Sequence, residues 1–186
     1  MNTNTALRGN LELKAQLADL AKAQRTATSL PIHHAERQDQ IDTYFGCGRG
    51  RLKLREIELF DRDGRQVESR AELIWYERPD LADAKRSRYH LVDVVDAAAM
   101  KAALSAAGGQ LAIVCKRRWI YLFENVRIHL DRVDSLGDFL EFEAVLSTAD
   151  ELSSSQERLS LLRREFEISD ADLLEASYGE MILGEV

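Results

Sequence analysis

Four carboxylates of this sequence occupy positions from which they could hold a metal ion. Each lies on the polar side of a segment that alternates polar and apolar residues: Glu12, Asp131, Glu141 and Glu143. Carboxylates gathered in one region repel one another unless a cation joins them. Oxygen ligands of this kind suit Mg²⁺ or Mn²⁺ rather than zinc. The four residues therefore predict a site for a hard divalent cation.

Basic side chains follow the same alternation in other segments. They include Lys14, Arg51, Lys53, Arg55, Lys116 and Arg118. Cations that face one another require a bound anionic ligand, because burying uncompensated charge costs free energy. Acidic metal ligands beside a row of lysine and arginine are the usual equipment of phosphoryl chemistry. The pattern predicts a metal-bound polyphosphate. A solvated face laced with salt bridges remains the alternative for any single segment, and it accounts less well for the whole set.

The elements that must position these residues are β-strands, since the alternation has a period of two. Strands are predicted at 10–15, 51–57, 72–78, 88–95, 110–123, 125–133 and 139–146, of about eight in all. Helical spacing appears at 18–28, 97–107 and 152–166, and Ser169 caps a last short helix. The other faces of the strands are apolar and need a cover of helices. We expect an α+β fold whose antiparallel sheet closes into a barrel around a charged lumen.

Length and charge narrow the class of protein. The 186 residues predict a single domain over 1–186, with a barrel core at about 10–146 and a helical segment at 151–186. The 25 basic and 32 acidic residues give a net charge of −7, which argues against a nucleic-acid coat outside. That total hides a division, because residues 1–130 carry 21 − 17 = +4 and residues 131–186 carry 4 − 15 = −11.

The location of the protein is predicted from what the sequence lacks. Two cysteines, no signal peptide and no apolar run of membrane-helix length predict a soluble protein of the cytoplasm, without a membrane partner. A homodimer stays open as its assembly.

Seven short motifs occur in order along the chain. They read Asn-Leu-Glu-Leu-Lys at 10–14, DTYF at 42–45, GRLKLRE at 50–56, LIWYERPD at 73–80, VCKRR at 114–118, IHLD at 128–131 and LGDFLEFE at 136–143. Each motif alone is weakly specific, whereas the ordered set is fairly specific. In this set the chain resembles the CYTH family, the triphosphate tunnel metalloenzymes that include class IV adenylyl cyclases and thiamine triphosphatases.

The resemblance implies a closed eight-stranded antiparallel β-barrel whose lumen binds a triphosphate together with Mg²⁺ or Mn²⁺. By matching position, it implies metal ligands at Glu12, Glu141 and Glu143, with Asp131 close by. The basic lining that it implies for the phosphates is Lys14, Lys53, Arg55, Arg78, Lys116 and Arg118. Lys14 is also the candidate catalytic residue, which would orient the nucleophile or assist proton transfer.

One position departs from the family signature, which has a first glutamate where this chain has Asn10. An amide ligates through its carbonyl oxygen but brings no charge, so one metal is expected to bind more weakly or only alongside substrate. The expected reaction is hydrolysis of an inorganic, nucleoside or thiamine triphosphate. Cyclisation of ATP to cyclic AMP and pyrophosphate is the alternative at the same site. A non-catalytic module that binds triphosphate or polyphosphate is a second alternative, supported mainly by Asn10.

The acidic C-terminal part is expected to contain an amphipathic helix whose charges face solvent. Residues 178–186 either cover one mouth of the barrel or are frayed, and fraying is favoured for the final residues.

Overall fold

Eight strands and four helices make up the part of the chain that the computed structural model describes, residues 8–61, 63–77, 85–146 and 151–184. The strands are β1 (Arg8–Gln16), β2 (His34–Phe45), β3 (Arg51–Phe60), β4 (Gln66–Glu77), β5 (Lys85–Val94), β6 (Gln110–Phe123), β7 (Val126–Val133) and β8 (Gly137–Leu146). The helices are α1 (Leu20–Ser29), α2 (Ala97–Gly108), α3 (Glu151–Glu165) and α4 (Tyr178–Leu183), with a 3₁₀ turn at Asp170–Asp172.

The strands form one antiparallel sheet in the order β1–β5–β4–β3–β2–β6–β7–β8, and β8 pairs with β1 to complete the circle. The seam between β1 and β5 pairs Arg8–Glu12 with Lys85–Tyr89 within the described residues. The sheet is therefore strongly curled, and its closure extends over part of the barrel height. This confirms the expected α+β class and the antiparallel barrel, in which paired edges are protected from other chains.

The apolar face of the barrel lies outside and is covered by helices, as expected. One cluster joins β1, β6, β7 and β8 to α1 and α3, and it contains Leu13, Ile128, Phe142, Leu162 and Phe166. Each fully buried side chain of this size stabilises the fold by about 1.5–3 kcal/mol. Helix α3, which carries three acidic and three basic side chains, thus packs its apolar stripe against the barrel. No helix in the described ranges combines the length and apolar composition needed to cross a membrane.

Strand β2 was not among the strands predicted from alternation. Its inner face carries Gln38, Gln40 and Asp42, and its outer face carries polar Arg37 and Asp39. Because both faces are polar, the strand shows no alternation of polar and apolar residues. Its position between β3 and β6 nevertheless makes it central to the lumen.

The C-terminal segment returns to the barrel instead of leaving it. The bridge from Ala15 to Leu173 and the hydrogen bond from Leu174 N to Lys14 O attach it to β1. Ser177 then caps α4, whose first residue, Tyr178, is buried. Residues 178–183 thus form a helix whose first residue lines the lumen, and residues 185–186 lie outside the described part of the chain.

Candidate active site

The inner faces of all eight strands line one cavity of about 600 Å³. This volume falls within the range of about 300–1,000 Å³ that is typical of small-molecule sites. Side chains two residues apart on a strand point to the same face, so the alternating charged residues of each strand enter this cavity together. The site is therefore an internal lumen.

Three cations of the lumen converge on the carboxylate of Asp42, which is completely buried. Lys53 Nζ and Lys116 Nζ lie 3.0 and 2.9 Å from Asp42 Oδ2. Arg55 donates from Nε to Asp42 Oδ1 at 2.7 Å and from Nη2 to Oδ2 at 2.8 Å. Three cations and one anion leave a formal charge of 3 − 1 = +2 in this cluster when all four are ionised, which makes it a site for an anion.

Burial and neighbouring charges shift the pKa values of this cluster in opposite directions. Burial raises the pKa of Asp42, but Arg55 and the two lysines outweigh burial and hold the pKa well below its ordinary value of 3.8. Burial lowers the pKa of Lys116 from 10.5 to about 7 and that of Lys53 to about 8, and Asp42 opposes both changes. A phosphate that enters the lumen would raise both lysine pKa values, because a nearby anion favours the charged ammonium.

Asp131 lies beside this cluster, and both of its oxygens are engaged by donors. Arg118 donates from Nε to Oδ1 and from Nη2 to Oδ2, each at 2.6 Å, and the Tyr178 hydroxyl donates to Oδ2 at 2.9 Å. Arg118 Nη2 also donates to Glu141 Oε2 at 2.9 Å. Burial raises the pKa of Asp131, but Arg118 outweighs burial and lowers it. In this arrangement Asp131 orients Arg118.

The two lumen-facing glutamates of β8, Glu141 and Glu143, lie next to His129 of the neighbouring strand β7. His129 Nδ1 is 3.6 Å from Glu141 Oε2, and His129 Nε2 is 3.8 Å from Glu143 Oε2, which are electrostatic contacts longer than hydrogen bonds. Burial raises the pKa of Glu141, but Lys14, His129 and Arg118 hold it well below its ordinary value of 4.5. Glu141 is thus ionised at neutral pH.

Oxygen atoms suitable for a divalent cation gather where β1 meets β8. Glu12 is the direct partner of Glu143 in the β1–β8 ladder, and directly opposed residues share a face. Glu143 accepts hydrogen bonds from Asn10 Nδ2 and from Arg127 Nη1, the latter at 3.2 Å. The carbonyl oxygen of Asn10 is buried, and no donor among the described residues reaches it.

These atoms fit Mg²⁺ or Mn²⁺ by their chemistry, since carboxylate and amide oxygens are the hard ligands that both ions prefer. Within the described ranges, no three Asp, Glu, His or Cys side chains are grouped closely enough to hold a metal alone. A cation bound here would therefore need further oxygen ligands, of the kind that phosphate groups or water supply. The residues fit a metal ion that binds together with a triphosphate.

Tyr178, the first residue of helix α4, lines the lumen and contacts the candidate catalytic residue. Lys14 Nζ lies 4.0 Å from the centroid of the Tyr178 ring, and Lys116 Nζ lies 5.4 Å from it. A Cβ atom at Gly179 would lie 3.1 Å from the Tyr44 ring, so glycine allows α4 to approach β2. The Tyr178 ring thereby orients the Lys14 ammonium through a cation–π contact.

The structure brings most of the predicted site residues to this one lumen. Those that line it are Glu12, Lys14, Lys53, Arg55, Lys116, Arg118, Glu141 and Glu143. Asp131 lies behind Arg118, and Arg78 lies outside the described residues. Sequence reasoning missed Asp42 and Tyr178 as parts of the site. The position of Asp42 in a matched motif was a usable signal, whereas nothing local pointed to Tyr178.

Comparison with known proteins identifies the family. The model of the CYTH domain matches residues 9–178. The chain belongs to the CYTH family. A Methanocaldococcus jannaschii protein named "putative adenylate cyclase" is 25% identical over 175 residues, which cover 92% of this chain and 97% of that protein.

Solved structures share the CYTH-like fold at lower identity. A conserved hypothetical protein from Pyrococcus furiosus has a TM-score of 0.73 and 20% identity, over 92% of this chain and 98% of that chain. A structure from Vibrio parahaemolyticus, titled a "putative adenylate cyclase", has a TM-score of 0.67 and 22% identity, over 93% and 97% of the two chains. These matches support the fold of the present CYTH chain.

Proposed function

We propose that this protein is a divalent-metal-dependent triphosphatase that hydrolyses a phosphoanhydride bond of a triphosphate held in the lumen. The observation that carries the proposal is the buried cluster of Lys53, Arg55 and Lys116 around Asp42, with a formal charge of +2. Such a cluster is stabilised by a polyanion, and charge-assisted hydrogen bonds to phosphate oxygens are strong. Oxygen ligands for a metal line the same cavity.

The order of the strands supports this proposal, because it places the cations in a row along which a chain of phosphates would bind. Strand β2 lies between β3 and β6, so the cations of β3 (Lys53 and Arg55) and of β6 (Lys116 and Arg118) flank Asp42 from both sides. Arg118 reaches Glu141, which connects the basic row to the carboxylates of β8. Phosphates that span this row meet cations at one end and candidate metal ligands at the other.

Asn10, Glu12 and Glu143 are the residues that would hold Mg²⁺ or Mn²⁺, with Glu141 beside them. Bound there, the ion would neutralise phosphate oxygens and lower the pKa of a coordinated water. In hydrolysis the water oxygen bonds to the terminal phosphorus and gives up a proton to solvent, the bond from that phosphorus to its bridging oxygen breaks, and the leaving diphosphate group takes up a proton. Lys14, whose ammonium is oriented by Tyr178, is the candidate donor of that proton.

Cyclisation of ATP is the second candidate, and the names of the Methanocaldococcus and Vibrio relatives favour it. In that reaction the ribose 3′-oxygen bonds to the α-phosphorus, and pyrophosphate leaves. The same cations would neutralise the leaving pyrophosphate. The two reactions differ in the nucleophile and in which phosphorus it attacks.

A product assay separates these functions. The purified protein is incubated with tripolyphosphate, thiamine triphosphate, ATP or GTP, each with Mg²⁺ or Mn²⁺, and phosphate, pyrophosphate and cyclic AMP are measured. Metal-dependent phosphate release supports the triphosphatase, and cyclic AMP with pyrophosphate supports the cyclase. Tight binding of tripolyphosphate without turnover of any substrate refutes both in favour of a binding module.

A matched pair of variants tests the metal ligands. Glu143→Gln keeps the shape of the side chain and removes its charge, so metal-dependent turnover should fall by about tenfold or more. Glu58→Gln makes the same change at an exposed position of β3 and should leave turnover unchanged. Full activity of the Glu143 variant would contradict the assignment of this residue as a ligand.

A further inference from the structure

Asp42 is placed where three cations can reach one carboxylate. Arg55 is its direct partner on β3, whereas Lys53 and Lys116 stand opposite Tyr44 and Gln40, the inward neighbours of Asp42 on β2. Both lysine side chains therefore lean diagonally toward Asp42 to make contacts of 3.0 and 2.9 Å. The Asp42 carboxylate reduces the positive charge of a site that is proposed to bind phosphate. Its presence there must therefore serve another purpose.

We propose that Asp42 is a positioning residue that favours the charged forms of Lys53 and Lys116 and holds both lysines, together with Arg55, aimed into the lumen, ready to receive phosphate groups. The identity of the ligand as a triphosphate rests on the proposed function. The contacts by which Asp42 positions the three cations are independent of that function. Asp42 itself is 0% exposed and is already saturated by donors, so it acts through the cations and not on the substrate.

Two opposing effects decide what loss of this carboxylate does. By Coulomb's law alone, its removal makes the lumen one charge more positive and strengthens binding of a polyanion. Its removal also leaves three buried cations to repel one another, with the Lys116 side chain only 1% exposed. The arrangement favours the second effect, because lysines this deeply buried lose their protons or turn away when their anion is removed.

The surroundings of Lys116 show how much depends on Asp42. It faces Asp42 on β2, Lys53 and Arg55 on β3, Arg118 on its own strand and the Tyr178 ring on α4. Lys53, Arg55 and Arg118 are cations that lower its pKa, and Asp131 on β7 is a second carboxylate that interacts with it electrostatically. Asp42 is the contacting anion that opposes them.

The decisive experiment compares Asp42→Asn with Asp39→Asn, measuring metal-free binding of tripolyphosphate at pH 7 by calorimetry. Asp39 lies on the same strand and also pairs with an arginine, with 2.9 Å from Arg117 Nε to Asp39 Oδ1, but on the outer face. Asp42→Asn should weaken binding by about tenfold or more, and Asp39→Asn should leave it unchanged. Equal or tighter binding by Asp42→Asn overturns the proposal.

A second experiment measures the protonation of the two lysines directly, in the absence of ligand. Side-chain NMR titration of Lys53 and Lys116 should show their midpoints lowered by about one pH unit or more in Asp42→Asn, and unchanged in Asp39→Asn. Unchanged midpoints in Asp42→Asn overturn the proposal. If the wild type binds no tripolyphosphate, either metal-free or with Mg²⁺, while the midpoints fall as expected, the proposed function fails and the effect of Asp42 on the cations stands.

If Asp42→Asn does not fold, a double variant tests the proposal instead. Combining Asp42→Asn with Lys116→Met removes one of the repelling cations. Recovery of the folded state in the double variant supports the proposal. A double variant that stays unfolded overturns it, because Asp42 would then be needed for reasons other than the cations.

Discussion

Replacing Lys116 with methionine is expected to stabilise the free protein while it weakens binding of triphosphate. Burial lowers the pKa of Lys116 from 10.5 to about 7. At about 1.36 kcal/mol per pKa unit, this difference sets an upper bound of about 5 kcal/mol on the cost of holding the charge. Asp42 loses one partner in the variant but keeps Lys53 and Arg55. We therefore expect a net gain in the free energy of unfolding of about 1–3 kcal/mol.

The pH dependence of stability gives this prediction a second signature. The pKa of Lys116 is lower in the folded protein than in the unfolded chain, so between pH 7 and about 10.5 the unfolded chain binds more protons at this residue. The free energy of unfolding of the wild type should therefore rise with pH over this interval. The rise should be shallower in Lys116→Met, with the remainder due to Lys53.

Urea unfolding at pH 7 and pH 9 measures both effects, and thermal melting should show a midpoint raised by about 3–8 °C in the variant. Tripolyphosphate binding is measured in parallel. The control is Lys101→Met on α2, where the lysine is partly exposed and pairs with Glu56 on the outside. Lower stability of Lys116→Met at pH 7, or a pH dependence equal to that of the wild type, would refute this reasoning.

Three further outcomes are expected. Tyr178→Phe removes the hydroxyl that donates to Asp131 and should lower the free energy of unfolding by about 1–2 kcal/mol in urea; an unchanged value would show that the bond contributes nothing. The pKa of Glu141 lies below its ordinary value of 4.5, so the stability it contributes is present above pH 4.5 and is lost as pH falls through its folded-state pKa. Acid unfolding of Glu141→Gln should show a smaller loss than that of the wild type. Affinity for tripolyphosphate should fall from pH 7 to pH 9 as Lys116 and Lys53 lose protons, and calorimetry showing constant affinity would contradict this.

Strands with one apolar face could be predicted from local sequence, because alternation sorts their side chains without knowledge of the partner strand. The segment that contains Lys53 and Arg55 alternates with leucines, and the structure places it in β3 with both cations inward. Strand β2 could not be found in this way, since a wet lumen permits polar residues inside as well as outside. The polar residues that make β2 part of the site therefore also prevented its prediction from alternation.

The net charge of −7 is a poor guide to the ligand for a related reason. Summed charge does not distinguish the inside of a barrel from its outside. Within the C-terminal part, the structure assigns Glu141 and Glu143 to the lumen and the charges of α3 to the outer surface. A small polyanion inside is compatible with an acidic exterior.

By itself, the sequence determined the barrel, the inward face of most strands and the resemblance to a triphosphate-binding family, because alternation and short motifs are local properties. The pairing of charged side chains with one another depends on the tertiary structure. Asp42 contacts Lys116 across 74 positions of the chain, and Tyr178 contacts Asp131 across 47. Such partners are chosen by strand order and register, which bring distant residues within about 3 Å and exclude water from between them. Whether a carboxylate is a free ligand or the anchor of a cation is therefore a property of the folded barrel.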